Sequence, residues 1–465
     1  MKSLSAACRR SEAFAALLIG TAVFLSRLPF LLPGYGLDPD AWRVAFTART
    51  IRSTGAYTFS REPGYPVHEL ACALLVDGGP LWLNGATALA SAVAAACLGL
   101  SLKRLNVPGH ALAALAFAFT PVVFIESTTS MDYLWAMAFL LASLTCVLGG
   151  RAVVAGLLLG LAVGCRPSSA VMVLPLGYLM AHGSGGLARL RSALVFCAVA
   201  GATGFLCYVV VFSHERWNWD FAAFVEFHRE YLKGIRRPPA GEILRRATLS
   251  VWGTLGCAAL TLAGLLALAR PGRWQKLRRP VALASAFAVL MMLALFAKLP
   301  WDPAYLIPAV PFAVLWCGQV LARRAFLIVC CLLALSGWVD LDAGGIRKGP
   351  VFGDHAERVA DVAFTERILS EARALDHPAR IVASRWFMKV EALAGGRKIK
   401  DGVNVLMAVH DTRQVAGWRQ RGYALYYVPG SEIDNRFTDD IDLVEHGFEP
   451  LFDPLDSIAD RSSRD

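Results

Sequence analysis

Charge is scarce in this chain. Of its 465 residues, 18% are charged and 56% hydrophobic, whereas soluble globular domains are about one-quarter charged. That shortage excludes an ordinary soluble protein. Paired metal-ligand motifs are also lacking. Cys97, Cys146, Cys165, Cys197, Cys207, Cys257, Cys317, Cys330 and Cys331 fall inside apolar runs, and the polar C-terminal stretch has no cysteine. With no CxxC pair and no His/Cys cluster, neither a disulfide framework nor a zinc module is predicted, and thiols in apolar helices act as small hydrophobes. No internal repeat or low-complexity tract is present. The glycine pairs in GGPLWLNG (78–85) and AGGRK (394–398) do not match phosphate-loop spacing and read as turns. The net charge of +10 does not gather as a basic stripe on a soluble segment, so no nucleic-acid partner is expected. Lys and Arg instead lie in loops, as they do beside anionic headgroups.

Long apolar runs take up most of the sequence. About eleven are of membrane-spanning character: 13–32, 80–101, 109–125, 132–149, 152–165, 168–181, 192–212, 248–269, 281–298, 303–321 and 325–340. The first follows Lys2, Arg9 and Arg10 and continues past Arg27 into GYGLDPD without a small-residue cleavage site, which reads as a retained signal anchor. With the N-terminus cytoplasmic, Lys103/Arg104, Arg151, Arg189/Arg191, the run RPGRWQKLRRP (270–280) and Arg323/Arg324 all fall inside, as the positive-inside rule requires. This topology needs two short helices meeting at Arg166-Pro167; a single broken span there would invert every later loop. Three segments then face the extracytoplasmic side: about 33–79, 213–247 and 342–465. The expected organisation is a membrane domain, 1–341, and a small soluble α/β domain, 342–465. In the latter, helices are expected at 354–375 and 404–420 and strands at RIVAS (380–384) and YALYYV (423–428).

Acidic and basic residues at the outer turns carry the chemistry. In LDPDAWRVAFTARTIRSTGAYTFSREPGYPVHEL, Trp42, Ala45, Phe46 and Ile51 recur near helical spacing with Arg43, Arg49 and Arg52 between them, which predicts an interfacial helix. Asp38 and Asp40 stand at its start, where a carboxylate also serves as an N-cap. FIESTTSMDYLW places Glu126 and Asp132 at the mouth of two spans, and carboxylates at that depth are costly and mark sites. Arg166 lies at the break between two apolar half-spans, and KLPWDPAYLIPAVPF adds Lys298, Asp302 and Tyr305. Such a set suits a sugar carried on a polyprenyl phosphate. Arg and Lys would bind the phosphate as it leaves, and an aspartate would take the proton of the attacking hydroxyl.

These stretches resemble the GT-C superfamily of integral-membrane glycosyltransferases, within it the protein O-mannosyltransferase-like and aminoarabinose-transferase-like group, over about 20–320. GLDPDAWRVAFTARTIRSTGAYTFSREPGYPVHEL is similar to that family's first outer loop, and TPVVFIESTTSMDYLWAMAFLLA to its second acidic motif. AGLLLGLAVGCRPSSAVMVLPL is similar to its Gly-rich segment ending in a cation and proline, and AYLIPAVPF to its RYLLPALP segment. The resemblance implies a mostly α, polytopic bundle of GT-C type in a plasma (inner) membrane. It also implies a polyprenyl-phosphate-linked sugar donor, a lipid, glycan or protein acceptor, and inversion with an aspartate of the first loop as base. Asp40 aligns better than Asp38 with the acidic position, and Asp132 is the second acidic position, beside Glu126. Arg166 and Tyr305 fall on motif positions for donor binding or cleft shape. The chain departs from the family at Ala304, where an arginine is common, and Lys298 is the candidate replacement cation. It departs again at His68 and Glu69, candidates for an acceptor or metal contact, with a solvated interfacial histidine as the alternative for His68. A divalent ion (Mg or Mn) is compatible with the acidic cluster but not required by it.

The 213–247 loop mixes aromatic residues with Arg229, Lys233, Arg236 and Arg237. An aromatic belt with headgroup contacts accounts for most of it; a lid over the donor phosphate using Arg229, Lys233 and Arg236 is the functional alternative. Two rival readings remain for the whole chain. One is a transporter or flippase of a lipid-linked sugar, although such folds usually carry inverted repeats. The other is a membrane scaffold, which leaves the acids and Arg166 unexplained.

Overall fold

A computed structural model describes residues 2–182, 185–234, 237–269, 272–342, 344–395, 398–431 and 442–453. The chain divides into two compact units: Met1–Leu32 with Thr47–His355, and Pro33–Phe46 with Ala356–Asp465.

The first unit is helical. Among the described residues, six helical stretches are long and apolar enough to cross a membrane: Glu12–Phe30, Pro66–Arg104, Gly186–Phe212, Leu249–Ala269, Pro280–Lys298 and Pro303–Val320. His110–Phe119, Tyr133–Leu148, Ala152–Cys165 and Pro167–Ala181 are shorter and equally apolar. The protein is thus a multi-pass membrane protein. Gly79–Arg104, the longest uninterrupted helix of the Pro66–Arg104 stretch, has 26 residues, about 39 Å at 1.5 Å per residue, which exceeds the hydrocarbon core. Leu74, Leu187 and Leu206 are exposed on this unit, as expected where lipid is the solvent.

Several runs that read as single spans are broken, and prolines explain the breaks. At 109–125 the helix His110–Phe119 stops at Thr120 and a new one, Pro121–Glu126, begins, because Pro121 offers no N–H to the preceding turn. The 168–181 run starts as a 3-10 turn, Pro167–Met172, before the α-helix Val173–Ala181. The 303–321 run starts as Pro303–Leu306, capped by the Asp302 carboxylate on the Ala304 N–H at 2.9 Å. In Leu249–Ala269 the helix kinks at Gly253, whose φ is 68°, a value open to glycine at little cost.

Helix packing depends on small residues. Gly156, Gly160 and Gly164 repeat every four residues on Ala152–Cys165 and face Gly186–Phe212. A β-carbon at Gly156 would come within 2.8 Å of the Phe196 carbonyl, at Gly160 within 2.9 Å of the Gly204 nitrogen, and at Gly164 within 2.8 Å of Cys207 Cβ. This is the small-xxx-small mode that lets helices approach closely in lipid, where apolar surface alone gives no driving force. A buried arginine ties a second region together. Arg27 donates to Ser127 Oγ (3.0 Å), Ser26 Oγ (2.8 Å) and the Ala118 carbonyl, with its guanidinium 4.2 Å from the Phe124 ring centroid.

The long loops are also helical in part. Segment 213–247 forms Phe221–Gly234 and Ala240–Ala247. The span expected at 325–340 is shortened: its helix ends at Leu335, and Val339–Asp342 pairs with Gly345–Lys348 as an antiparallel hairpin.

The second unit carries a four-stranded parallel sheet in the order Val403–Leu406, Ala379–Val382, Ala424–Tyr427, Glu449–Pro450. In register, Ala379 lies opposite Val403 on one side and Ala424 on the other. Among the described residues, the helices of this unit include Phe387–Leu393 and Thr412–Gln420, most of Pro350–Ala374, which starts within the first unit, and the first half of Pro39–Thr54, which ends within the first unit. Ile368, Ala372, Ile381, Trp386 and Val390 fill one side of the core. The helix expected at 404–420 is corrected: 403–406 is a strand, and the helix starts only at Thr412, where Asp411 caps the Arg413 N–H at 2.8 Å. Val403 and Val405 are β-branched and alternate with exposed Asn404, which is strand period.

Candidate active site

The site builds from a buried carboxylate. Asp132 stands at the N-terminus of Tyr133–Leu148 and is completely buried. Its Oδ2 accepts from Arg166 Nη1 at 2.7 Å, and its Oδ1 accepts from Arg61 Nη2. Arg166 reaches it because the chain is extended at this residue (φ −155°, ψ 112°), between the helix ending at Cys165 and the turn starting at Pro167; a residue before proline is driven into that region. Tyrosine rings hold both guanidinium groups. Arg166 lies 3.9 Å from the Tyr133 centroid and 5.0 Å from that of Tyr305, and Arg61 lies 4.1 Å from that of Tyr65. Tyr133 in turn donates its hydroxyl to Asp302 Oδ2. The result is two cations on one carboxylate, walled by three tyrosines. Arg166 commits only Nη1 to a protein acceptor; its other N–H groups have no partner among the described residues.

The loop that brings Arg61 here is organised by a second buried acid. Glu69 accepts from Tyr57 Oη (2.7 Å), from Ser60 N and Oγ (both 2.6 Å) and from Tyr65 N (3.0 Å). Burial, followed by the charge of Glu69, pushes the Tyr57 hydroxyl far above the ordinary phenol range, so it stays a donor. His68 is buried and not solvated. Its ring stacks edge-on to Trp135 at 5.6 Å and its Nε2 lies 3.4 Å from Cys72 Sγ.

Asp132, Arg166, Tyr305 and Asp302, singled out from the sequence, thus meet in one cluster. Arg61, Tyr65 and Tyr133 were missed as site residues. Each lies within a motif already noted, but a loop arginine and tyrosines beside apolar spans carry no distinctive spacing. The other candidates lie elsewhere. Glu126 is half-buried and accepts from Thr129 Oγ1 at 3.2 Å. Lys298 is exposed at the end of Pro280–Lys298. Arg229 and Lys233 are exposed and pair with Glu226 and Glu230 on their own helix at 2.7 and 2.6 Å. Arg236 lies outside the described residues.

Asp38 and Asp40 belong to the second unit. Asp38 is the helix cap: its Oδ1 accepts from the Asp40 N–H at 2.8 Å and its carbonyl from the Ala41 N–H at 3.1 Å. The Asp40 carboxylate meets Arg43 Nη1 at 3.0 Å. Of the apolar stripe on this helix, Pro39–Thr54, expected to lie on a membrane surface, Trp42, Ala45 and Ile51 are each buried and Phe46 is exposed; Trp42 donates to the Gly36 carbonyl at 2.7 Å. As for a metal, no three His, Cys, Asp or Glu side chains approach one another as a binding group among the described residues. The oxygens of Asp132 and Glu69 are taken up by the donors named above, so this cluster does not fit a divalent ion.

An open apolar groove of about 820 Å³ lies in the same unit, lined by Phe24, Leu28, Leu31, Leu89, Trp135 and Phe139 among others. Trp135 borders it and packs on His68.

No protein-family model and no curated protein matches the chain. Solved structures are similar to it. One is the aminoarabinose transferase ArnT from Cupriavidus metallidurans, crystallised with undecaprenyl phosphate. It is 14% identical, with 79% of this chain and 82% of ArnT covered, at a TM-score of 0.53. Another is the oligosaccharyltransferase AglB from Archaeoglobus fulgidus, in complex with an inhibitory peptide and a dolichol-phosphate. It is 14% identical, with 82% of this chain and 63% of AglB covered, at a TM-score of 0.45. The helical arrangement shared with ArnT gives this chain the fold of the GT-C membrane glycosyltransferases.

Proposed function

We propose that the protein is a membrane glycosyltransferase that moves a sugar from a polyprenyl-phosphate donor to an acceptor hydroxyl. The observation that carries this reading is the Arg61–Asp132–Arg166 clamp. Two guanidinium groups share a single carboxylate, and Arg166 keeps N–H groups for a further anion. A planar fork of donors matches a phosphate, and the charge-assisted bonds strengthen as the phosphate leaves. Asp132 and the tyrosine rings position the two cations. The apolar groove suits an isoprenoid chain, and the fold it shares is that of a protein crystallised with undecaprenyl phosphate.

The reaction balances simply. The acceptor oxygen bonds to the anomeric carbon from the face opposite the phosphate, the bond from that carbon to the phosphate oxygen breaks, and the configuration inverts. The leaving phosphate takes no proton, and the acceptor's proton passes to a base. We assign that base to Asp40, because Asp38 is engaged as the helix cap and a capping carboxylate is held by its backbone donors. The site is read as extracytoplasmic in a plasma (inner) membrane, with the N-terminus cytoplasmic. The sugar is a hexose or pentose, and the acceptor a lipid, glycan or protein.

The test is incubation of the purified, reconstituted protein with a panel of polyprenyl-phosphate sugars and candidate acceptors. The expected result is transfer that Asp40→Asn abolishes while donor binding persists. Scrambling of labelled lipid-linked sugar across vesicles, with no acceptor present and no transfer with one, would replace this reading by a flippase.

A further inference from the structure

Next to the clamp in sequence stands a group of buried polar atoms that the mechanism above does not use. Arg61 and Glu62 are consecutive, yet only Arg61 reaches Asp132. The Glu62 carboxylate is ion-paired with Arg216, its Oε1 3.1 Å from Arg216 Nε, but neither of its oxygens, both buried, makes a hydrogen bond among the described residues. Two further side chains in the same neighbourhood carry a buried polar atom with no hydrogen-bond partner among those residues. Trp217 is 5% exposed, and its Nε1–H is one of them. His228 commits Nδ1–H to the Phe224 carbonyl at 2.7 Å, which leaves Nε2 as an acceptor in the neutral ring, and this buried Nε2 is the other.

These groups are joined through Arg216 and through a shared aromatic wall. The Arg216 guanidinium lies 5.2 Å from the Trp217 centroid and 4.9 Å from that of Phe227. The rings of Trp217 and His228 are 6.1 Å apart, and those of Phe224 and His228 are 4.4 Å apart. Burial raises the Glu62 carboxyl, while Arg216 pulls it back. Buried polar groups are almost always hydrogen-bonded, so three side chains beside one loop whose buried polar atoms lack hydrogen bonds among the described residues point to a ligand.

The chemistry of the set selects that ligand. A carboxylate offers two acceptors, the histidine one acceptor and the indole one donor. The charge of Arg216 is already balanced by Glu62, so a phosphate, which only accepts, would meet a carboxylate and a histidine acceptor with a single indole donor; an ammonium, which only donates, would leave the indole unmatched. Hydroxyl groups both donate and accept, so a ring with vicinal hydroxyls satisfies all three, and Phe224 and Phe227 offer apolar faces to its C–H bonds. We propose that Glu62, Trp217 and His228 form a sugar-reading site that decides which glycosyl group the protein takes. This rests on the functional reading above. The ring comes either from the donor or from a glycan acceptor, and the chemistry is common to both.

The experiment measures binding to the full-length protein in nanodiscs, using undecaprenyl phosphate, undecaprenyl phosphate carrying a neutral hexose or pentose, and methyl glycosides. Glu62→Gln and Trp217→Phe are compared with the parent; the second keeps the ring and removes only the N–H. The expected result is unchanged affinity for bare undecaprenyl phosphate, which also reports folding, with at least tenfold weaker binding of a sugar-bearing probe. A loss confined to the glycosylated lipid assigns the ring to the donor, and a loss confined to the methyl glycoside assigns it to the acceptor. If both variants keep the parent's preference for sugar-bearing probes, or the parent shows none, the proposal is overturned. A parent that binds glycosides through Glu62 but no undecaprenyl phosphate would remove the lipid-linked reading and leave this site standing.

Discussion

Replacing Asp132 by asparagine keeps the shape of the clamp and removes its negative charge. The carboxylate is fully buried, and its two partners are nearly so, with side-chain exposures of 13% for Arg61 and 10% for Arg166. Removing one member of a buried ion pair costs about 3–5 kcal/mol, because the remaining charge is left uncompensated. Here two cations are stranded and also repel each other. Against that, the asparagine carbonyl still accepts one bond, and each guanidinium keeps its tyrosine ring, worth about 0.5–2 kcal/mol. We expect a loss of about 4 kcal/mol, nearly a thousandfold in the folded-to-unfolded ratio. Unfolding in mixed micelles, followed by tryptophan fluorescence, measures it. Adding Arg61→Gln to Asp132→Asn should recover part of the loss, since one stranded charge is gone, and a double-mutant cycle reads that coupling. Undecaprenyl phosphate should stabilise Asp132→Asn more than the parent, because its phosphate supplies the missing anion. A single variant within about 1 kcal/mol of the parent, the range of a solvated ion pair, would refute the clamp.

At the first loop, Asp38→Ala should cost about 1 kcal/mol as a lost cap and keep turnover, whereas Asp40→Asn should lower kcat by about 10²–10⁴; equal turnover in the Asp40 variant would exclude it as base. Gly160→Ala forces a β-carbon against Thr203 and the Gly204 backbone, while nothing lies within 4 Å of one at Gly201; the first should lower the melting temperature and Gly201→Ala should leave it unchanged or raise it. Tyr133→Phe removes the donor to Asp302, and a lost bond to a charged group costs about 1.5–3 kcal/mol, readable in the same unfolding assay. Burial raises the Glu62 carboxyl above its ordinary value. The folded state therefore holds that proton more tightly, and its contribution to stability is lost as pH rises through the folded value. Glu62→Gln should gain stability relative to the parent as pH rises above the ordinary glutamate value of about 4.3; a difference that shrinks as pH rises from there would contradict the burial argument.

Hydropathy by itself determined the helical membrane class. The cost of unpaired backbone in hydrocarbon leaves a long apolar run few options besides a helix, and each of the eleven runs read from the sequence holds a helix in the structure, although the last, 325–340, leaves it after Leu335 and ends in the strand Val339–Asp342. The outer-turn motifs were legible for a similar reason. Asp132, Arg166 and Asp302 stand out because charge is rare beside apolar spans, and Tyr305 through the AYLIPAVPF resemblance, but the same rarity also marked Glu126 and Lys298, which lie outside the cluster. Tertiary structure decided which side chains these residues meet. Arg61 looks like any loop arginine until Glu69, four donors deep in its own loop, folds that loop and aims Arg61 at Asp132. The same holds for Asp38, read as a base or a helix cap, whose carboxylate accepts from the Asp40 N–H, and for His68, read as an acceptor or metal contact or a solvated ring, which is buried against Trp135. The strand at 403–406 was lost to a helical reading because two alternating valines are too short a period to outweigh the helix-forming residues after them; pairing with Ala379–Val382 settled it. Composition and period fix the kind of element, since they act through local solvation. Which side chains meet is set by long-range packing, and no local pattern encodes that.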